Sequence, residues 1–301
     1  MPRGTTTSTR PSIRVGDVVI TAFLDVDVDF KLPLEQVFPG IEPEAWHPFR
    51  QSYPQAFGAD GGWRYVVNCY LVTTPRKTVL IDTGCGAASL AFPGFLGAGG
   101  ALRESLAASG VRPEEIDVVV ITHAHPDHVG GVLDPDDPAS PAFARARYLV
   151  SRTDWETWRR KDVQDAFPFP YIGDTLEPLM SLGAVDLVDG ECSVGEELTL
   201  FPTPGHTPGH YSVLVTSGRE SALVAGDVWL HPAQITEPGW ESAFDMDAGE
   251  AVRTRLALAE RVAAEGMTLG VTHFPDPLGQ IVRLEHRHHW MPLSVSGMTG
   301  D

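Results

Sequence analysis

Short apolar runs that end on histidine or aspartate recur along this chain, and they constrain its fold more than any other feature. The run at 116–122 is β-branched and short, as a buried strand would be, and it leads directly into His123. The run "TLGVTH" at 268–273 ends on His273 in the same way. Because polar side chains that follow buried strands lie in the loops at a sheet edge, this pattern predicts a layered α/β fold with a site at one edge.

The stretch "HAHPDH" carries four metal-ligand side chains in six positions, namely His123, His125, Asp127 and His128. Side chains at i and i+2 of an extended segment point the same way, so the first two imidazoles can converge on one cation. The aspartate and the third histidine can face a second position, and the two glycines that follow permit a close backbone approach. Imidazole with carboxylate suits zinc, and also iron, cobalt or manganese. By itself the stretch allows a closed structural zinc site, half of a two-metal centre or a polar loop.

Alternating or β-branched apolar runs predict further strands along the chain. They cover 15–30, 63–74, 77–84, 146–151, 197–206, 210–217 and 221–229. Helical spacing predicts helices at 101–110, 153–161 and 249–266. The last helix is predicted to begin at a cap formed by Asp247 with Glu250. Its predicted apolar face consists of Val252, Leu256, Ala259 and Ala263.

The composition is that of a globular protein, with 43% hydrophobic residues and a formal net charge of −18. That charge argues against nucleic-acid and anionic-membrane partners, because both require a basic surface. No apolar run is long enough to span a bilayer. The polar N-terminus and three scattered cysteines predict neither a signal peptide nor a disulfide framework. A cytoplasmic protein is therefore predicted, with a disordered tail at 1–12 and a single domain at 13–301.

Five motifs, in order, resemble those of the metallo-β-lactamase superfamily. They are "VLIDTGCG", "THAHPDHVGG", which resembles the HxHxDH signature, "TPGHTPGH", "ALVAGDVW" and "LGVTHF". The resemblance covers roughly residues 15–285. It implies an αββα sandwich of two mixed β-sheets flanked by helices, with a dinuclear metal site at one edge.

Carried over residue by residue, the resemblance implies a complete set of metal ligands. They are His123, His125 and His206 for a first cation, Asp127, His128 and His273 for a second, and Asp227 as the bridge. It also implies that Asp82 orients a ligand imidazole, although an ordinary turn before a glycine explains this residue equally well. Of the two histidines in "GHTPGH" it selects His206, which leaves His210 as an orienting or core residue.

The implied cofactor is a pair of divalent ions, with zinc favoured and iron, manganese or cobalt as alternatives. Two such ions lower the pKa of a bridging water, so the resemblance implies hydrolysis by a metal-bridging hydroxide. Asp127 and Asp227 are assigned catalytic roles, with Asp227 as the proton shuttle.

Departures from other branches narrow the expected substrate. Asp227 disfavours the class B β-lactamases, the intact His125 disfavours the flavodiiron branch, and the net charge disfavours the nucleases. The chain resembles most the branch of N-acyl-homoserine lactonases and methyl parathion hydrolase-like enzymes. A lactone, aryl ester or phosphotriester is therefore the expected small-molecule substrate, with monomer and homodimer both open. The alternatives are a thioesterase or acyl hydrolase of a biosynthetic pathway, a metal-binding module without catalysis, and a redox di-iron protein.

Aromatic residues near these motifs are candidates for the substrate pocket. Trp229 stands two residues after Asp227, and Phe167, Phe169 and Tyr171 lie in "AFPFPYIG". The aromatic segment 43–63 could form a lid. Ordinary packing explains each of them at least as well, because aromatic residues in loops often cover a core.

Overall fold

Two β-sheets packed face to face form the centre of the molecule, and helices cover their outer faces. The computed structural model describes residues 10–86, 99–166 and 171–293, with the side chain of Tyr171 excluded. The predicted αββα architecture of mixed sheets flanked by helices is confirmed. Ser12 already belongs to the first strand, and Arg10 donates a 2.9 Å hydrogen bond to the carbonyl of Ser105.

The two large sheets contain seven strands each among the described residues. In chain order the strands are β1 (Ser12–Val15), β2 (Val18–Asp29), β3 (Arg64–Thr73), β4 (Thr78–Ile81), β5 (Val118–Val120), β6 (Leu133–Asp134), β7 (Asp137–Pro141), β8 (Arg147–Ser151), β9 (Val185–Val188), β10 (Cys192–Val194), β11 (Leu198–Pro202), β12 (Tyr211–Ser217), β13 (Glu220–Val224), β14 (Thr268–Gly270), β15 (Leu278–Leu284) and β16 (Arg287–Pro292). The first sheet has the order β1-β2-β3-β4-β5-β8-β9, and the second runs from β10 to β16 in sequence order. β6 and β7 form a separate pair.

Both sheets mix parallel and antiparallel pairs. β4 with β5, β5 with β8 and β8 with β9 are parallel in the first sheet, and β13 with β14 in the second. The other pairs are antiparallel. The run predicted at 15–30 belongs mainly to β2, the second arm of a hairpin with β1.

Helices occupy the connections between the strands. The α-helices are α1 (Leu34–Val37), α2 (His47–Ser52), α3 (Leu102–Ala108), α4 (Pro126–Val129), α5 (Arg152–Trp158), α6 (Lys161–Ala166), α7 (Tyr171–Asp174), α8 (Leu176–Ser181), α9 (Ala233–Thr236) and α10 (Ala248–Glu265). Short 3-10 turns lie at Pro43–Trp46, Pro54–Ala56 and Pro113–Glu115. Across these three described ranges, no helix combines the length and apolarity that crossing a bilayer requires.

Three apolar clusters hold the layers together. Between the sheets, Val72 and Val120 of the first sheet share a cluster with Val213 of the second. α3 and α5 cover the outer face of the first sheet, and α10 with the segment 34–63 covers that of the second. Fully burying one such aliphatic side chain contributes roughly 1.5–3 kcal/mol, so these clusters fix how the sheets are stacked.

Four strand ends meet at one edge of this sandwich. β4 and β5 end just before Asp82 and His123, and β13 and β14 end just before Asp227 and His273. The two sheets are also bonded here, since the amide of Tyr211 donates to the carbonyl of Thr122 over 2.8 Å. The pairing of parallel strands therefore brings residues from distant parts of the sequence to a single edge.

The long helix α10 begins and ends as predicted, but its buried face is rotated from the predicted one and overlaps it only in part. Asp247 caps it by accepting from the amide of Glu250, and Gly266 ends it in a left-handed conformation. The predicted face is partly correct, because Ala259 is buried and Ala263 packs against the core, whereas Leu256 is 47% exposed. The buried residues of the helix are Ala251, Arg255, Leu258, Ala259 and Val262. Apolar spacing gave no indication of Arg255, whose charge is paired in the interior.

Candidate metal centre

The residues singled out as ligands come together in two adjoining groups at the sheet edge. In each group, one nitrogen or oxygen atom from every member lies within 4.8 Å of the others. The first group is His123, His125 and His206, and the second is Asp127, His128, Asp227 and His273. No other such cluster of three or more His, Cys, Asp or Glu side chains exists in the part of the chain that the structure describes.

In the first group, three imidazole nitrogens face one point. His125 Nδ1 lies 3.0 Å from His123 Nε2 and 2.9 Å from His206 Nε2. His123 and His125 follow β5, and His206 lies in the connection between β11 and β12. The ring of Trp158 closes one side, with its centroid 5.3 Å from that of His125.

In the second group, two imidazoles alternate with two carboxylates. Asp127 and His128 belong to the short helix α4, which Pro126 begins. His128 Nε2 lies 3.4 Å from Asp127 Oδ2, and His273 Nε2 lies 3.5 Å from the same oxygen. Carboxylate and imidazole groups placed side by side in this way are typical of a site for a divalent cation.

A single oxygen of Asp227 adjoins both groups. Its Oδ2 atom is 2.8 Å from His273 Nε2 and 3.4 Å from His128 Nε2 in the second group. The same atom is 3.4 Å from His206 Nε2 and 3.7 Å from His123 Nε2 in the first group. Asp227 Oδ1 is buried and has no hydrogen-bond partner. The carboxylate therefore lies where it can be shared between two cations.

The outer nitrogens of the imidazoles are held by fixed acceptors. His128 Nδ1 donates to Asp82 Oδ2 over 2.8 Å, and His206 Nδ1 donates to Asp245 Oδ1 over 3.0 Å. His273 Nδ1 donates to the carbonyl of Val66 over 2.7 Å. A carboxylate or carbonyl only accepts, so each bond places a proton on Nδ1, and Nε2 is the nitrogen that faces the centre.

Asp82, which accepts from His128, lies in a turn with a strained backbone. Its backbone is left-handed, with φ of 62°, and its Oδ1 accepts from the amide of Thr122 over 2.8 Å. The hydroxyl of Thr122 donates to Oδ2 over the same distance. The position of Asp82 supports the orienting role implied by the resemblance.

The two groups differ in their electrostatic character. Burial, reinforced by the neighbouring imidazoles, lowers the pKa of His123 and of His125 well below the ordinary histidine value. In the second group, burial alone would raise the pKa of Asp227, but His273, His128 and His123 hold it well below its usual range. Burial likewise disfavours charge on His128, yet the carboxylates of Asp227, Asp82 and Asp127 raise its pKa well above the ordinary value. The second group therefore attracts positive charge, and the imidazoles of His123 and His125 in the first group are neutral.

These residues fit divalent cations on grounds of their own geometry. His128 Nε2 and Asp227 Oδ1 are buried without a hydrogen-bond partner, which is costly for polar atoms in a protein interior. Neutral imidazole and ionised carboxylate are also the forms that bind metals. The centre can hold metal ions.

His210 contacts the backbone of Asp227 and not the ligand atoms. Its Nε2 atom accepts from the amide of Asp227 over 3.0 Å, and its Nδ1 contacts the hydroxyl of Thr203 at 2.8 Å. Burial lowers the pKa of His210 to about 3, so the ring is neutral. Both nitrogens are thus engaged away from the ligand groups, and His210 positions the backbone of Asp227.

Asp154 joins the loops that carry the first group, and sequence reasoning missed it. This fully buried residue of α5 accepts from the amide of Ala124 and the hydroxyl of Thr207 on Oδ2, both over 2.9 Å. Its Oδ1 accepts from the amide of Gly209 over 2.7 Å. In the sequence Asp154 is only one of several polar residues of a short predicted helix, and nothing in that pattern identifies the residues that it bonds.

Tyr65 was also missed. Its phenol donates a 2.6 Å hydrogen bond to Asp127 Oδ2, and its ring centroid lies 4.8 Å from that of His273. Phe30 packs against it at 5.0 Å, and Phe244 lies 6.0 Å from Phe30. Aromatic rings therefore adjoin the second group.

The chain leaves the ligand loop through a tight contact, as predicted from its two glycines. A Cβ on Gly130 would lie 2.1 Å from the carbonyl oxygen of Cys85, and one on Gly131 would lie 2.3 Å from that of Thr83. The expected close backbone approach is confirmed.

The aromatic candidates for the pocket occupy different places. Trp229 is fully buried in the core beside α10, which favours the packing explanation. Trp46, Phe49 and Trp63 of the aromatic segment are buried in the same core. Phe167, Phe169 and the side chain of Tyr171 lie outside the described residues, so their contact with substrate stays a prediction.

Comparison with known sequences agrees with this geometry. A profile of the metallo-beta-lactamase superfamily matches residues 62–273. A probable metallo-hydrolase of Mycobacterium tuberculosis is 26% identical over 267 residues, which cover 83% of this chain and 80% of that protein. An N-acyl homoserine lactonase of Bacillus cereus is 25% identical over 169 residues, covering 52% of this chain and 60% of the lactonase.

Solved structures resemble the whole chain. The hydrolase AbOPH of the beta lactamase superfamily superposes with a TM-score of 0.84 at 26% identity, covering 97% of this chain and all of that one. AidC, a dizinc quorum-quenching lactonase, superposes with a TM-score of 0.81 at 22% identity, covering 96% and 98%. The second likeness is one of fold.

Proposed function

The chain belongs to the metallo-beta-lactamase superfamily, and from this premise we propose that it is a hydrolase which cleaves an ester-type bond at a centre of two divalent cations. The observation that carries the proposal is the shared oxygen of Asp227, which adjoins two separate groups of ligand atoms. Closed structural zinc sites have four protein ligands and no such sharing, whereas shared carboxylates are typical of two-metal reaction centres.

The ligands divide between the two cations as the groups do. His123, His125 and His206 would hold the first cation, and Asp127, His128 and His273 would hold the second. Asp227 would bridge them. Zinc is the favoured ion because imidazole and carboxylate suit it, and a structurally similar lactonase is named as dizinc. Such a pair of cations supplies a water of lowered pKa and stabilises negative charge that develops on a substrate oxygen.

The chain's own residues contribute proton transfer and orientation. Asp227 Oδ1 is buried without a partner, so it is free to accept the proton that an attacking water gives up. Asp127 is fixed by the phenol of Tyr65. His210 fixes the backbone of Asp227 by accepting a hydrogen bond from its amide.

The surroundings favour a neutral, apolar substrate. Tyr65 adjoins the second group and Phe30 packs against Tyr65, while Trp158 adjoins the first group. Apolar walls around a few polar groups are typical of small-molecule sites. A lactone, an aryl ester or a phosphotriester combines an apolar body with one electrophilic centre, and curated relatives include N-acyl homoserine lactonases.

Metal analysis and a substrate panel test this proposal. Protein purified without added metal is analysed for metal content, and rates are measured on lactones, thioesters, aryl esters and phosphotriesters. We expect about two ions per chain, with faster hydrolysis of a lactone, aryl ester or phosphotriester than of any thioester. Preference for thioesters would instead identify an acyl-thioester hydrolase. Full metal occupancy without turnover on any ester would contradict the hydrolase assignment.

A further inference from the structure

Arg255 is a buried arginine that the ligand set does not explain. It is 1% exposed and lies on the core-facing side of α10. One terminal nitrogen donates to Asp245 Oδ2 and the other to the carbonyl of Trp240, each over 2.5 Å. Burying a guanidinium is costly unless it is paired, so a specific arrangement must retain it there.

Asp245 links this arginine to the candidate metal centre. Its Oδ2 faces Arg255, while its Oδ1 accepts from His206 Nδ1 over 3.0 Å. The carboxylate is also 2% exposed, so neither bond is shared with bulk solvent. A continuous chain of charge-assisted bonds thus runs from α10 through Asp245 to an imidazole of the first group.

Backbone bonds hold the same two segments side by side. The amide of Met246 donates to the carbonyl of His206 over 3.0 Å, and the amide of Asp247 donates to that of Gly205 over 2.9 Å. These two bonds fix the backbone next to Asp245 beside that of His206, so the carboxylate of Asp245 lies within reach of the imidazole. The bonds from Arg255 through Asp245 to His206 form a relay, and this relay lies in the connection that leads into α10.

The other carboxylate-bound ligand imidazole is held differently. Asp82, which orients His128, receives its remaining bonds from the amide and hydroxyl of Thr122, both neutral groups. Only at Asp245 is the charge of the carboxylate offset by a buried cation on a helix. The two groups of ligands are thus supported by different devices.

We propose that Asp245 and Arg255 are positioning residues for the first cation. They hold His206 with Nε2 directed at His123 and His125. Because Arg255 also bonds the segment 238–245, the orientation of His206 depends on the docking of that segment on α10. Occupancy of the first group and docking of this segment then stabilise each other. The inference rests on the proposed function, since it requires that the first group binds a cation.

Paired substitutions test the relay without leaving a buried charge unpaired. Asp245→Leu with Arg255→Met removes both charges at similar volume, a change that folded proteins often tolerate. Asp245→Asn with Arg255→Gln keeps an acceptor for His206. The matched control is Glu250→Gln with Arg253→Gln, which removes an exposed ion pair from the same helix. Zinc binding to each metal-free protein is measured by titration calorimetry, and amide exchange of 238–247 is measured with and without zinc.

The wild type and the control should bind two zinc equivalents, and zinc should slow exchange in segment 238–247. In the Leu/Met variant one equivalent should weaken by roughly 10–100-fold, with the protection of the segment lost. The Asn/Gln variant should recover part of the affinity. Two equivalents at unchanged affinity in the Leu/Met variant would overturn the inference. Fewer than two equivalents in the wild type would instead contradict the proposed function.

Discussion

The phenol of Tyr65 donates a 2.6 Å hydrogen bond to Asp127 Oδ2, the carboxylate oxygen that faces both His128 and His273. Tyr65 lies on β3 and Asp127 on α4, so the bond fixes a candidate ligand from a separate element. We expect Tyr65→Phe to weaken the second zinc equivalent by roughly 10–100-fold, because the carboxylate gains rotational freedom. Zinc titration of the metal-free variant measures this.

Tyr53→Phe is the control for Tyr65. Tyr53 is a buried tyrosine whose hydroxyl bonds the backbone of Trp290, with no ligand involved. It should lose about 1 kcal/mol of unfolding free energy and keep both zinc equivalents. Equal zinc affinities in Tyr65→Phe and the wild type would refute the positioning role of Tyr65.

His206 and His210 should differ sharply on substitution. His206→Leu removes a proposed ligand from the first group, so one of the two proposed ions should be lost. His210→Leu removes the acceptor for the amide of Asp227 and the contact with the Thr203 hydroxyl, which should cost about 1–3 kcal/mol of stability while both ions are retained. Metal analysis and urea unfolding of the two variants distinguish them. Loss of an ion from His210→Leu, with His206→Leu fully loaded, would reverse the assignment.

Asp154→Asn should loosen the loops of the first group. An amide has one acceptor oxygen, so the variant cannot satisfy Ala124, Thr207 and Gly209 together. We expect a loss of about 1–3 kcal/mol in unfolding free energy and a weaker first cation. Asp162→Asn, an exposed aspartate on α6, serves as the control and should stay within about 0.5 kcal/mol. An Asp154→Asn protein as stable as the control would show that the three bonds contribute little.

Asp25 should make stability fall as pH rises through the mildly acidic range. Burial raises its pKa from 3.8 to about 6, although the amides of Cys85 and Leu102 donate to it. Between pH 3.8 and about 6 the folded state binds a proton that the unfolded chain has lost. The contribution is thus complete below pH 3.8 and is lost as pH rises through 6, by up to about 3 kcal/mol.

Comparison with Asp25→Asn isolates this effect, since the variant cannot titrate there. The unfolding free energy of the wild type, relative to that of the variant, should decrease between pH 4 and pH 6.5 when both are measured by urea unfolding. A difference that is constant across this range would mean that Asp25 titrates normally in the folded protein.

The sequence predicted the ligand groups because each residue follows a recognisable strand or motif. His123 and His273 end apolar runs, and His206 lies in a motif that the superfamily resemblance identifies. Their convergence follows from strand pairing, which the order of strands and helices already indicated. The order of strands and helices indicated a layered α/β fold, and the αββα sandwich was implied by the superfamily resemblance.

The supporting residues could not be predicted, since they act across long separations without a local pattern. Tyr65 bonds a residue 62 positions away, and Asp245 bonds one 39 positions away. Arg255 interrupts the apolar face of α10, and its burial is explained by the carboxylate of Asp245 and the carbonyl of Trp240. Such pairings depend on how elements dock, and periodicity within one element contains no information about that.

Anomalous diffraction from crystals of the zinc-loaded chain tests whether two cations share Asp227, because it locates each ion among its ligands. Two peaks are expected at the zinc edge, one among His123, His125 and His206 and one among Asp127, His128 and His273, with Asp227 between them. A single peak, or two peaks away from these residues, would contradict a two-cation centre shared through Asp227.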